Sequence, residues 1–264
     1  MTRTRTRPPD ADDPYVTHSA WAPARTPGMR VLADDALVLV DSGLACDTFN
    51  HVCRARLDGT DAVTRVRAAV AHFRDAGRPF SWWVRPEDRP QALGALLEAE
   101  GLAAAESEVV MACDDLAALA EVAVPGGLTI VRARDARTLA DFATVNAENW
   151  SPPDAHVVRF YERAASALLA DGSPQRFHVA YLDGVPVATA EVTLAGGSAG
   201  VFNVATRTAF RRRGIGGAVT AHALRDAHVA GARRGVLEAS ADGAGVYARL
   251  GFRAMGMVTE YKPA

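Results

Sequence analysis

Apolar residues recur along the chain at two spacings, one helical and one of strands. In "DAVTRVRAAVAHFRDAG" (61–77), Val63, Val66, Val70 and Phe73 fall three or four residues apart, which predicts a helix closed by Gly77. "ALVLV" (36–40), "PFSWWV" (79–84) and "SEVVMAC" (107–113) are short apolar or aromatic runs and predict strands. "RPQALGALLEAEGL" (89–102) reads as a short helix ending at Gly101, and "EVAVPGGL" (121–128) collects Pro and Gly as a linker does. Beyond it, "LTIVRA" (128–133) predicts a strand, and "DARTLADFATVNAENW" (135–150) a helix capped by Asp135. Pro152 and Pro153 then break the chain before a second helix in "VVRFYERAASALLADG" (157–172). "FHVAYLDGVPVATAEVTL" (177–194) predicts two strands turning at Asp183-Gly184, and "AGVFNVAT" (199–206) a third. Helix, strand, helix and strand follow in "GGAVTAHALRDAHVAGA", "GVLEAS", "GAGVYARLG" and "FRAMGMVTEY". The expected class is α/β (α+β), a mixed, mainly antiparallel sheet flanked by helices.

Two stretches align without a gap. "RLDGTDAVTRVRAAVAHF" and "RRRGIGGAVTAHALRDAH" pair Arg56 with Arg211 and Gly59 with Gly214. A strand, a short helix ending "EAEGL" or "ARLGF", and another strand follow each of them. This predicts a tandem repeat, with a degenerate copy in residues 21–122 and a second copy in 128–264. Residues 1–20 open with Arg and Thr, then Pro and Asp, and are expected to form a disordered tail.

Composition narrows the function. The 264-residue chain carries a formal net charge of -2, against the basic excess of a nucleic-acid binder. Cys46, Cys53 and Cys113 have no metal-ligand spacing and read as reduced core thiols, and no metal site is expected. No apolar run is long enough for a membrane span, and the N-terminus lacks the apolar segment of a signal peptide. A cytoplasmic protein, monomeric or homodimeric, is expected.

The chemistry is carried by "RRRGIGGAV" (211–219), where three arginines precede a glycine-rich turn and a helix. Free amides, the helix dipole and cationic side chains together make a diphosphate site. A Walker A loop would need Lys then Ser or Thr after Gly217, where Ala218-Val219 stand. A dinucleotide fingerprint would need Gly or Ala in place of Val219. "GGSAG" (196–200) matches a nucleophile elbow around Ser198, but a strand rather than a helix follows it, so it reads as a hairpin turn. What fits is Arg/Gln-x-x-Gly-x-Gly/Ala, as Arg211-Arg212-Arg213-Gly214-Ile215-Gly216. With "FNVAT" before it and "VYARLGF" (246–252) after it, residues 128–264 resemble the GNAT superfamily of acyl-CoA N-acyltransferases.

The resemblance implies acetyl-CoA, or another short acyl-CoA, as co-substrate and a small-molecule or peptide amine as acceptor. It implies that the amides of Arg212, Arg213, Gly214, Ile215, Gly216, Gly217 and Ala218 hold the pyrophosphate beside Arg211. It further implies that Val204, Ala205 and Thr206 pair with the pantetheine arm, and that Tyr247 protonates the departing sulfur. The base stays open. Glu191 shares a polar strand face with Thr189 and Thr193, which suggests a wet cleft; Glu238 resembles an acid some relatives use; a water relay is the third option. Trp150, in the loop between the first two helices of the second copy, is the expected acceptor contact. In the first copy Asp58 and Asp61 would repel a diphosphate, with Asp61 capping the helix and Leu97 in place of the tyrosine. A non-catalytic acyl-CoA-binding sensor is the alternative function.

Overall fold

A computed structural model describes residues 12–59 and 61–264. The first half consists of α1 (Pro14–Ala20), β1 (Arg30–Ala33), β2 (Val38–Asp41), β3 (Asn50–Cys53), α2 (Ala62–Asp75), β4 (Ser81–Val84), α3 (Leu93–Ala99) and β5 (Leu102–Cys113). The second half runs β6 (Leu128–Arg132), α4 (Ala136–Ala147), α5 (Ala155–Leu168), β7 (Gln175–Leu182), β8 (Val185–Ala195), β9 (Ser198–Thr206), α6 (Ile215–Val229), β10 (Arg234–Ala239), α7 (Ala241–Leu250) and β11 (Arg253–Pro263). All the strands join one sheet, ordered β1-β2-β3-β4-β11-β5-β10-β9-β8-β7-β6. Among the described residues only β3 with β4 and β9 with β10 pair as parallel strands, each pair linked by one long helix, α2 or α6. The class is therefore mixed α/β with a mainly antiparallel sheet.

The order holds an exchange. β11, the last strand of the second half, lies between β4 and β5 of the first. β5, the last strand of the first half, pairs with β10, with Glu238 opposite Val110. Each half thus lends its closing strand to the other, and β5 and β11 pair antiparallel along most of their length.

Periodicity accounts for most of the elements. On α2, Val66, Val70 and Phe73 are buried against β2–β4, whereas Val63 is exposed. The β7–β8 hairpin turns on Asp183 (φ 51) and Gly184 (φ 78), the twist a two-residue turn needs. Gly196 (φ 53) and Gly197 (φ 74) turn β8 into β9, and a Cβ on Gly196 would lie 2.5 Å from the Asp12 carbonyl oxygen. Ser198 accordingly opens a strand and stands in no nucleophile elbow.

The N-terminal expectation is corrected. Residues 1–11 lie outside the described residues, but Pro14–Ala20 is a helix rather than a tail. Asp13 accepts hydrogen bonds from the amides of Tyr15 (2.8 Å) and Val16 (3.4 Å), and Pro14 occupies the first turn. Tyr15, Val16 and Ala20 bury against Val38 and Val40 of β2 and Cys53 of β3, while the other flank of α1 reaches Phe202 on β9. The helix lies where the halves meet. In the first copy Asp61 stands at the head of α2, yet its side chain makes no capping hydrogen bond.

Candidate active site

β9 and β10 pair from Ser198 with Arg234 to Val201 with Leu237, and no pairing between them continues beyond Val201 among the described residues. Their far ends diverge into a wedge that has Val204, Ala205 and Thr206 on the β9 side. A bulge contributes: the β8 register shifts between Thr189 and Glu191, and Asn203 opposite has φ 51. At the head of α6, Gly214 adopts φ 77, a left-handed conformation that costs other residues about 1–2 kcal/mol. Gly214 brings no capping side chain, and a Cβ there would meet open space. The amides of Ile215, Gly216 and Gly217 come before the first helical donor, Ala218 N, which donates to Gly214 O (3.0 Å). Arg211 turns back to the Thr206 carbonyl (2.9 Å), and Arg213 lies over Phe210. Among the described residues none of Arg211, Arg212 and Arg213 has a carboxylate partner.

Tyr247, on α7, borders a cavity of 310 Å³ shared with Val204 on β9, Glu238 on β10, Glu108 on β5, Trp83 on β4 and His18 on α1. Both halves and the exchanged strand β5 therefore wall it. Burial first, then the nearby Glu108, pushes the Tyr247 hydroxyl up to about 12, so it remains a hydrogen-bond donor at neutral pH.

The three carboxylates of the region are held differently. Glu191 is fully buried, and its polar row is no wet cleft. Thr189 is bonded to Asn146 on α4, and the Glu191 carboxylate accepts from Gln175 (3.0 Å), Thr193 (2.9 Å) and Asn203 (2.9 Å) and meets His18 Nδ1 at 2.8 Å. Burial raises its pKa, but His18 and these hydrogen bonds outweigh burial and leave it below the ordinary glutamate value. Glu238 is ion-paired with Arg85, which follows β4; burial still holds its carboxyl above the ordinary value. Glu108 has no hydrogen-bond or ion-pair partner among the described residues. Burial, then repulsion from Glu238, Glu106 and Glu260, pushes it up to about 7. It stands two residues before Val110, the partner of Glu238, and so shares the Glu238 face of the sheet.

Trp150, the expected acceptor contact, is exposed and does not border this cavity. One potential metal-ligand group does exist: Cys46, Asp154 and His156 converge, although both Asp154 oxygens are engaged within the chain, by Cys46 Sγ (3.4 Å) and His156 Nδ1 (3.0 Å). Among the described residues no helix is long and apolar enough to cross a membrane.

The family model for an acetyltransferase (GNAT) domain matches residues 173–254, which contain the wedge, the glycine turn and Tyr247. The chain carries a GNAT domain and, ahead of it, a second GNAT-like half. Solved structures agree on the fold. A GCN5-related N-acetyltransferase from Kribbella flavida is 23% identical with a TM-score of 0.70, the alignment covering 94% of each chain. A tandem GNAT protein from the clavulanic acid biosynthesis pathway is 14% identical with a TM-score of 0.63, over 95% of this chain and 87% of that one. A GCN5-related N-acetyltransferase from Sphaerobacter thermophilus is 19% identical with a TM-score of 0.58, over 86% and 80%. No curated protein matches the chain.

The GNAT fold implies an acyl-CoA co-substrate, and the second half fits one: uncapped amides, open space above Gly214, arginines with no carboxylate partner among the described residues, and a strand wedge. The first half does not. There Arg89 N donates to Ala55 O (2.8 Å) and Leu57 N to Arg89 O (3.1 Å), so the chain's own backbone closes the gap beyond the β3–β4 pairing. The adjoining 520 Å³ cavity is lined by Asp58, Glu87 and Asp88.

Proposed function

We propose that the second half catalyses acyl transfer from a short acyl-CoA to a primary amine, with Glu108 as base and Tyr247 as the donor to sulfur. The observation that carries this reading is the cavity beside the β9–β10 wedge, bordered by both a protonated tyrosine and an unpaired carboxylate that titrates near neutrality. The coenzyme supplies an acyl carbon activated as a thioester. Its pyrophosphate suits the amides of Arg212–Ala218 and the charges of Arg211–Arg213, and its pantetheine arm suits Val204–Thr206.

The nitrogen sheds two protons on its way from ammonium to amide. Glu108 takes the first, which frees the lone pair to form the C–N bond. The second balances the sulfur as the C–S bond breaks, with the Tyr247 hydroxyl donating a hydrogen bond where negative charge develops. A positioned acid or base contributes about 10²- to 10⁴-fold to such a step.

Glu108 suits the base better than either carboxylate named from sequence. A base needs a free lone pair and a value near the working pH. Glu191 has its oxygens occupied and a lowered value, which suits an anchor for α1 and the β9 bulge. Glu238 is committed to Arg85. Free-thiol release from acetyl-CoA across a panel of small amines tests the proposal. Coenzyme binding without turnover on any amine would replace the enzyme by a sensor.

A further inference from the structure

His18, on α1, borders the same cavity and has no part in the acyl transfer above. Its ring is fixed on two sides. One face stacks on Phe202 at 3.9 Å with 10° between the planes, and Nδ1 meets Glu191 Oε1 at 2.8 Å. Burial works against ionisation of Glu191, but His18 and the hydrogen bonds from Gln175 and Asn203 overcome it. An ionised carboxylate only accepts, so Nδ1 carries the hydrogen and the neutral ring has its lone pair on Nε2. Nε2 has no hydrogen-bond partner among the described residues. Unlike the Nε2 of His51 it is not shut away from solvent, and the side chain keeps 24% exposure.

The carboxylate does not need this bond to be satisfied. Gln175, Thr193 and Asn203 already donate to Glu191, so what His18 gains from it is a fixed tautomer and a fixed ring. A buried carboxylate aims a histidine lone pair at a nucleophile in this way. The position of the ring decides what it can serve. Val201 with Leu237 is the last β9–β10 pair, so Phe202 and Glu238 are the first residues past the point where the wedge opens. His18 stacks on the former. A coenzyme held at Arg212–Ala218 and paired along Thr206 to Val204 runs toward Phe202 and ends its thioester there. Glu108, two residues along β5 from the partner of Glu238, lies farther into the open wedge.

We propose that the second half also hydrolyses acyl-CoA, with the His18 Nε2 lone pair drawing a proton from water and Glu191 as the positioning residue behind it. The step balances. As Nε2 takes the proton, the water oxygen bonds to the acyl carbon; the electrons of the C–S bond leave with sulfur, and the proton passes from the imidazolium to the thiolate. A carboxylic acid and the free thiol of coenzyme A are the products. An amine attacks once its ammonium is deprotonated, whereas water attacks well only while a base takes its proton. The inference rests on the coenzyme reading of the wedge and on no particular amine.

The test uses the full chain, acetyl-CoA and a buffer without amines. Thiol and acetate should appear in equal amounts, and in oxygen-18 water the acetate should gain solvent oxygen. His18→Asn sets an amide N–H where Nδ1 stood, keeping a donor for Glu191, and lacks Nε2. Hydrolysis should fall by about 10²-fold or more with coenzyme A affinity unchanged. In His18→Ala, added imidazole should restore part of the rate, which a purely structural histidine would not allow. Nitrogen-15 NMR of the ligand-free, histidine-labelled chain should show the neutral His18 ring with Nδ1 protonated and Nε2 bare. Acetate formed no faster than in buffer, wild-type hydrolysis by His18→Asn, thiol release without acetate, or a hydrogen on Nε2 of the neutral ring would each overturn the proposal. If His18→Asn loses coenzyme affinity, the imidazole rescue decides: restoration supports the base, and its absence overturns it. Amide formation from an amine panel is read separately. Acetate without any amide sinks only the transferase, and amide without acetate sinks only the hydrolase.

Discussion

Glu108→Gln separates the proposed base from its neighbours. With the carboxyl at about 7, half of it is ionised near neutrality and about a tenth one pH unit lower. The wild-type kcat should therefore fall about tenfold per unit on the acid side and level off above about pH 8. Glutamine accepts no proton, so the acid limb should vanish and the plateau drop by about 10²- to 10⁴-fold. Stability should move the other way. The folded-state value lies above the ordinary glutamate value, so the folded chain favours the protonated form. That contribution is full below the unfolded pKa and is lost as pH rises through about 7, whereas glutamine imitates the protonated form throughout. Glu108→Gln should thus melt above wild type at about pH 8–9 and level with it at about pH 4. Glu238→Gln is the companion variant: it removes the strongest carboxylate neighbour and frees Arg85, which should shift the wild-type limb to lower pH. Thiol release and thermal melts over the same pH range read both effects. An acid limb near 7 and a wild-type plateau in Glu108→Gln would refute Glu108 as base.

Tyr247→Phe should lower kcat by about 10²-fold or more and leave acetyl-CoA affinity near wild type, read by calorimetry beside turnover. Coenzyme A should bind at one site per chain; Gly214→Val, at a φ of 77, should abolish binding and Asp58→Asn should leave the stoichiometry at one. Glu191→Ala leaves Gln175, Thr193, Asn203 and His18 without their acceptor and should cost about 3–5 kcal/mol in denaturant unfolding, far beyond a kcat effect alone. Residues 128–264 expressed alone lack β5, so β10 presents an open edge; the fragment should aggregate, and a soluble monomer with wild-type coenzyme affinity would contradict the exchange.

The second half was legible because its signals are local. Asp183-Gly184, Gly196-Gly197 and the run Arg211–Gly217 each act through backbone conformation within a few residues, and helix periods flank them. The repeat was legible for the same reason, since α2–β4–α3–β5 and α6–β10–α7–β11 follow one order. α1 was missed although Asp13-Pro14 is a helix start, because seven residues behind a polar, Pro-rich lead hold too few apolar positions for a period. β3, "NHVC", is too short and mixed to declare itself. Glu191 was read as wet because alternation reports which residues share a face, not what covers that face; α1 and α4 cover it. Glu108 lay in a strand predicted correctly but stood unremarked, since its worth depends on which strand β5 pairs with. No residue pattern distinguishes a closing strand that stays from one that crosses over.

That crossing gives a physical reason for a first half without a coenzyme site. Its wedge is sealed by the backbone of Arg89, and its cavity is lined by carboxylates, so it can spare the glycine turn and the arginines. Its remaining contributions all go to the other half. β5 completes the sheet edge of β10 and carries Glu108 to the Glu238 face; Arg85 holds Glu238; Trp83 and His51 wall the cavity; and α1 seals Glu191 and braces Phe202 through His18. Each of these contacts is made across the exchange or across α1. A substitution in the first half should therefore appear first as altered acceptor selectivity, with coenzyme affinity unmoved, because the residues proposed to hold the coenzyme, within 204–218, all belong to the second half.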